Sequence, residues 1–90
     1  MKKRAHIYYT GSVHGVGFRF TSQRIGQQLS LGGWVKNLPD GRVELVAEGE
    51  EERLIELLDR IRKSMAGYLS DESIKWQPYK NEFKEFGIRF

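Results

Sequence analysis

Arg4-Ala5-His6-Ile7-Tyr8-Tyr9-Thr10-Gly11-Ser12-Val13-His14-Gly15-Val16-Gly17-Phe18-Arg19 is the stretch on which the fold turns. Ala5, Ile7 and Tyr9 alternate with His6, Tyr8 and Thr10, the period of two of a half-buried strand over Arg4–Thr10. The alternation stops at Gly11. From there to Gly17 three glycines fall within seven residues, a density that breaks both regular structures and lets the backbone turn tightly. Phe18 opens a new rhythm. Phe18, Ile25 and Leu29 are spaced by seven and four, one face of a helix expected to run from Phe18 to Leu31 and to stop at Gly32-Gly33. Gly26 lowers the intrinsic propensity of that helix, and close packing against a sheet would explain it.

Downstream, Gly33–Leu38 and Arg42–Glu48 flank Pro39-Asp40-Gly41, three strong turn formers, and read as a β-hairpin. Glu50–Met65 sets Leu54, Leu58, Ile61 and Met65 on one stripe with charges opposite, an amphipathic helix. The carboxylates Glu48, Glu50, Glu51 and Glu52 just before that stripe suit a helix N-terminus. Ala66–Glu72 lacks periodicity. Ser73–Gln77 reads as a fourth strand, Pro78–Glu82 as a turn, and Phe83–Phe90, with Phe86, Ile88 and Phe90 alternating, as a fifth. The order βαββαβ with a short terminal strand is that of an α+β, ferredoxin-like split βαβ sandwich. Its antiparallel sheet would carry both helices on one face.

Ninety residues allow one domain, expected to span 1–90, and 39% hydrophobic content is enough to fill a two-layer core, which excludes disorder. The absence of cysteine excludes disulfides, thiolate metal sites and sulfur nucleophiles. His6 and His14 alone give no support for a metal site. Met1–Ile7 is basic and contains no apolar run long enough for a signal or a membrane span, so a cytoplasmic location and no membrane partner are expected. A net charge of +3 favours an anionic ligand without indicating nucleic acid. Tyr8 and Tyr9 could suggest base stacking, but Arg42–Glu48 has no aromatic residue to complete such a surface.

A glycine-rich loop that joins a strand to a helix can converge its backbone N–H groups and the helix N-terminus on one point of partial positive charge. A phosphate there gains charge-assisted hydrogen bonds of about 1.5–3 kcal/mol each. Arg19 can add a bidentate guanidinium contact. The loop lacks the Gly-Lys-Ser/Thr of nucleotide-binding P-loops, and its glycine spacing is not the dinucleotide fingerprint.

Gly11-Ser12-Val13-His14-Gly15-Val16-Gly17-Phe18-Arg19 resembles the acylphosphatase signature G-x-V-Q-G-V-x-F-R, and Gly33-Trp34-Val35-Lys36-Asn37-Leu38-Pro39-Asp40-Gly41 resembles its second signature, G-W-V-x-N-x-x-D-G. The similarity continues through Glu48-Gly49-Glu50 to the ending Phe86–Phe90, and so covers nearly the whole chain. It implies a ferredoxin-like fold and hydrolysis of acyl phosphates to a carboxylate and inorganic phosphate, with no metal or cofactor. It implies that the backbone of Val13, His14, Gly15, Val16, Gly17 and Phe18 binds the phosphoryl group together with Arg19, and that Asn37 orients the attacking water. The expected partner is a small-molecule acyl phosphate, with inorganic phosphate as product and competitive inhibitor and the protein a monomer. His14 stands where the family has glutamine, and Met65–Leu69 lacks the Gly-Pro-rich connection of relatives.

Blander readings exist for each residue. The loop alone would be a turn, Arg19 a surface charge and Asn37 a residue preparing the following turn. His14 reads as an incidental loop residue, Trp34 and Trp76 as packing, and Lys36 as a solvated strand position. Two other functions stay open: a non-catalytic phosphate-binding module on the same fold, to which only His14 points, and a piece resembling the acylphosphatase-like domains of larger carbamoyl-transfer maturation enzymes. The absence of a flanking domain argues against the latter.

Overall fold

The computed structural model describes residues 1–90 as β1 (Lys2–Gly11), α1 (Phe18–Gln28), β2 (Gly32–Asn37), β3 (Val43–Glu50), α2 (Glu51–Ser64), β4 (Leu69–Pro78) and β5 (Phe86–Arg89). The sheet order is β4-β1-β3-β2-β5. In β1 the odd residues Ala5, Ile7 and Tyr9 are buried and lie opposite Ala47, Leu45 and Val43 of β3, also buried. Alternation therefore gives the sheet one apolar face, and both helices cover it. Leu54, Leu57, Leu58 and Ile61 of α2 and Phe18 and Ile25 of α1 join that core.

The α+β sandwich stands as read from the sequence, with one difference in strand direction. Three pairings are antiparallel, whereas β5 runs parallel to β2, with Gly33 opposite Phe86 and Val35 opposite Ile88. Gly26 has the reason expected of it: a Cβ there would lie 2.6 Å from the ring of Phe86 on β5. The first helix ends at Gln28, three residues before the expected Leu31. Ser30 turns to a φ of 56° and Leu31 returns its N–H to the Gly26 carbonyl at 2.9 Å, which frees the Leu31 side chain to enter the core.

The fourth strand is longer than Ser73–Gln77 because β4 pairs with β1 over nearly its whole length. As an edge strand it buries little, so its alternation is faint in the sequence. Glycine at Gly11, with φ 135°, lets the Tyr68 carbonyl come close, and Ser12 N–H donates to that carbonyl at 2.9 Å.

Since β4 and β5 lie at opposite edges, residues 79–85 must pass the ends of β1, β3 and β2. The carboxylate of Glu48, only 3% exposed, secures that crossing by accepting the N–H groups of Lys80 at 2.6 Å and Glu82 at 2.9 Å. Arg4 stands 3.5 Å from the same carboxylate and also bonds Glu82. Glu48 thus does not serve the start of α2 as its place in the acidic cluster suggested. Glu51 and Glu52 occupy the first turn, and Glu50 pairs with the Met1 ammonium at 3.0 Å.

The β2–β3 turn closes through Leu38 N–H to the Arg42 carbonyl at 2.8 Å and Gly41 N–H to the Leu38 carbonyl at 3.1 Å. Asp40 accepts the Arg42 backbone N–H at 3.0 Å and its Nε–H at 2.8 Å. The backbone bond first, then the side-chain bond, hold the Asp40 carboxyl below the usual aspartate range.

Removing the Glu48 carboxylate strands two backbone donors and Arg4 in a desolvated setting. Glu48→Ala is therefore expected to lower stability by about 3 kcal/mol, read as a fall in the urea midpoint with the slope preserved. A depressed folded pKa gives Asp40 a contribution that is present above the unfolded value of about 3.9 and disappears as pH falls through the folded one. The midpoint difference between the parent and Asp40→Asn should accordingly vanish in strong acid. An equal difference at neutral and strongly acidic pH would contradict this.

Candidate active site

The loop from β1 to α1 is staked by apolar side chains. Val13 and Phe18 are buried, Val16 packs against the same core, and the Phe18 ring meets Tyr9 with centroids 4.9 Å apart at 57°. Between these anchors Gly15 and Gly17 each take φ 75°, a left-handed conformation that glycine adopts freely and that tightens the loop. A Cβ at either glycine would meet nothing within 4 Å, so the need for glycine there is conformational and not a matter of space.

None of the amides from Val13 to Gly17 donates to a backbone carbonyl or a side chain of the fold. Gly17 is the N-cap of α1 without a side-chain cap, and the first turn contains no acidic residue. The earliest amide engaged there is Thr21, donating to the Gly17 carbonyl at 3.0 Å. The protein thus sets a helix N-terminus beside a run of unpaired backbone donors and offers them no anion of its own.

Arg19, one residue into the helix, makes no ion pair, in contrast to Arg4, Arg42, Arg60 and Arg62, which all face carboxylates. Its guanidinium lies 5.0 Å from the ring centre of Phe90, a cation–π contact that steadies it without neutralising it.

Asn37 is the last residue of β2, opposite Val43. By alternation it shares the helix side of the sheet with Val35. Its Oδ1 is buried without a hydrogen-bond partner, an unusual condition for a carboxamide.

These groups meet in a cavity of about 230 Å³ whose walls include Val13, Gly15, Gly17 and Phe18. Arg19, Asn37 and the exposed ring of Phe20 complete it. Of the residues expected from the sequence, His14 and Val16 do not line it. Val16 is drawn toward the core, and the His14 imidazole is turned away, donating from Nε2 to the Arg42 carbonyl at 2.9 Å. That bond fastens the loop to the hairpin that presents Asn37, a connection no sequence pattern announced.

Phe20 was not anticipated either, because a single aromatic in a helix carries no signal of exposure. Trp34 lies on the sheet face away from the helices, with Arg89 stacked 4.6 Å from its ring, and Trp76 stands at the edge beside Lys3. No group of three or more His, Cys, Asp or Glu side chains is arranged to hold a metal ion.

The cavity has the elements to hold a tetrahedral dianion, with a polarising guanidinium and a carboxamide able to position a water. Comparison with known proteins identifies the family. The acylphosphatase family model matches residues 5–88. An acylphosphatase of Syntrophobacter fumaroxidans is 40% identical over 90 residues, covering 99% of this chain and 93% of that protein. One from Caldanaerobacter subterraneus is 39% identical over 89 residues, covering 98% and 99% respectively. The crystal structure of acylphosphatase from Bacillus subtilis superposes with a TM-score of 0.88 at 32% identity, covering all of both chains. From the two signatures, the cavity they form and these likenesses, the chain belongs to the acylphosphatase family.

Proposed function

We propose that this acylphosphatase hydrolyses carboxylic–phosphoric mixed anhydrides with the phosphoryl group held on Arg19 and on the loop amides that line the cavity, among Val13, Gly15, Gly17 and Phe18, and with the attacking water oriented by Asn37. The observation that carries the reading is the convergence of Arg19, free of any carboxylate, and Asn37, with its Oδ1 unengaged, on the cavity beneath the glycine loop.

Hydrolysis here needs position and charge stabilisation more than a strong base. The water oxygen bonds to phosphorus while the bond from phosphorus to the bridging oxygen breaks, and the electron pair leaves with the carboxylate, a good leaving group. Asn37 holds the water through its carboxamide so that a lone pair of the water faces phosphorus, but it takes no proton. No carboxylate lines the cavity, so the released proton passes to a phosphoryl oxygen of the substrate itself. Arg19 and the loop amides stabilise the charge spread over the equatorial oxygens during transfer.

The same reading makes the enzyme a cytoplasmic monomer acting on small solutes, not on nucleic acid, with inorganic phosphate as product and competitive inhibitor. No helix is long and apolar enough to cross a membrane. His14, the one residue that favoured a non-catalytic module, lies outside the cavity.

Release of benzoate from benzoyl phosphate should proceed in the presence of a chelator and be inhibited competitively by phosphate. Arg19→Ala should lose both turnover and phosphate inhibition. Asn37→Ala should keep phosphate inhibition and lose about 10²–10³ in kcat. Undiminished phosphate inhibition in the Arg19 variant would overturn its assignment, and a pH–rate profile set by an enzymic general base would overturn the proton route.

A further inference from the structure

The phosphoryl end of the cavity is accounted for above, but Phe20 is not. Phe20 is 68% exposed, so it contributes little to the core that its neighbour Phe18 enters. Of the large apolar side chains exposed on this protein, which include Met1, Ile55, Tyr68, Trp76 and Phe90, Phe20 alone lines a cavity. That cavity is the one holding Arg19 and Asn37. Phe20 follows Arg19 directly in the first turn of α1, so the rigid helix fixes its backbone relative to the anion site.

We infer that Phe20 is a specificity residue that receives the acyl substituent and directs the enzyme toward acyl phosphates with an apolar, especially aromatic, acyl group. The inference rests on the reading of the cavity as an acyl-phosphate site. With the phosphoryl group seated on the loop amides and Arg19, the bridging oxygen and the acyl carbon extend from it toward the mouth. Val13 and Phe18 are buried in the floor, so the exposed wall at that mouth is the Phe20 ring. A benzoyl or branched aliphatic group removes that ring from water and gains offset stacking or dispersion contacts. A methyl group covers little of it, and a charged acyl group finds there no partner and loses hydration. No carboxylate or lysine lines the cavity to recognise such a charge.

Two measurements test this on the full chain. First, the ratio of kcat/KM for benzoyl phosphate over acetyl phosphate is compared between the parent and Phe20→Ala. It should fall about tenfold, within the range that one hydrophobic contact supplies to discrimination, with Phe20→Leu in between. Second, binding of the non-hydrolysable mimics benzoylphosphonate and acetylphosphonate is measured by calorimetry. The affinity ratio should fall by a similar factor in Phe20→Ala. Equal losses with both substrates, or a binding ratio unchanged by the substitution, would overturn the assignment. Because the phosphonate arm needs no turnover, a Phe20-dependent binding ratio in a protein that hydrolyses neither substrate would sink the catalytic reading while leaving the apolar wall in place. Phe20 is on the surface, so its replacement should leave the far-ultraviolet circular dichroism spectrum that of the parent.

Discussion

The site depends on how the chain between β1 and α1 is pinned. Val13 and Phe18 are sunk in the core, and the glycines between them take the left-handed conformation that folds the intervening backbone into a tight loop. Burial fixes the two ends, and the absence of side chains at Gly15 and Gly17 permits the curvature. Neither alone would do. A flexible glycine loop without its apolar stakes would sample many shapes and bind weakly, because ordering it would consume the binding energy. Stakes without the glycines would force ordinary residues into a conformation costing about 1–2 kcal/mol each.

Much of this architecture was legible in the residues. The alternation of Ala5, Ile7 and Tyr9 and the stripe through Leu54, Leu58 and Ile61 report burial directly, because a face that packs must be apolar at the period of its element. Arg19 and Asn37 were legible because two signatures place them, and the sheet then brings the end of β2 beside the start of α1. What stayed hidden has a common cause. The parallel docking of β5, the length of the edge strand β4 and the role of Glu48 are set by partners distant in the chain, and none of them imposes a local period. His14 is of the same kind: its substitution for glutamine was visible, and its bond to the Arg42 carbonyl was not.

That bond also shows how the two signatures are coupled. The glycine loop belongs to one connection and Asn37 to another, yet His14 joins the first to the turn that closes the second. Asp40, Arg42 and Tyr8 continue the contact outward, with the Arg42 guanidinium stacked 4.6 Å from the Tyr8 ring. Placement of Asn37 is consequently a property of the hairpin as a unit.

The register sets Glu48 opposite Arg4 and Gly32, near the starts of β1 and β2, whereas the glycine loop and Asn37 lie at the other ends of the same strands. At both ends backbone N–H groups stand ready for negative charge. Near Glu48 the polypeptide satisfies them with a carboxylate carried on its own side chain, and the result is a permanent rivet. At the far end no group of the fold engages them, and the proposed reading leaves that place to a dissolved anion. On that reading, turnover and mechanical fastening draw on one kind of interaction, separated only by whether the anion is covalently part of the polymer.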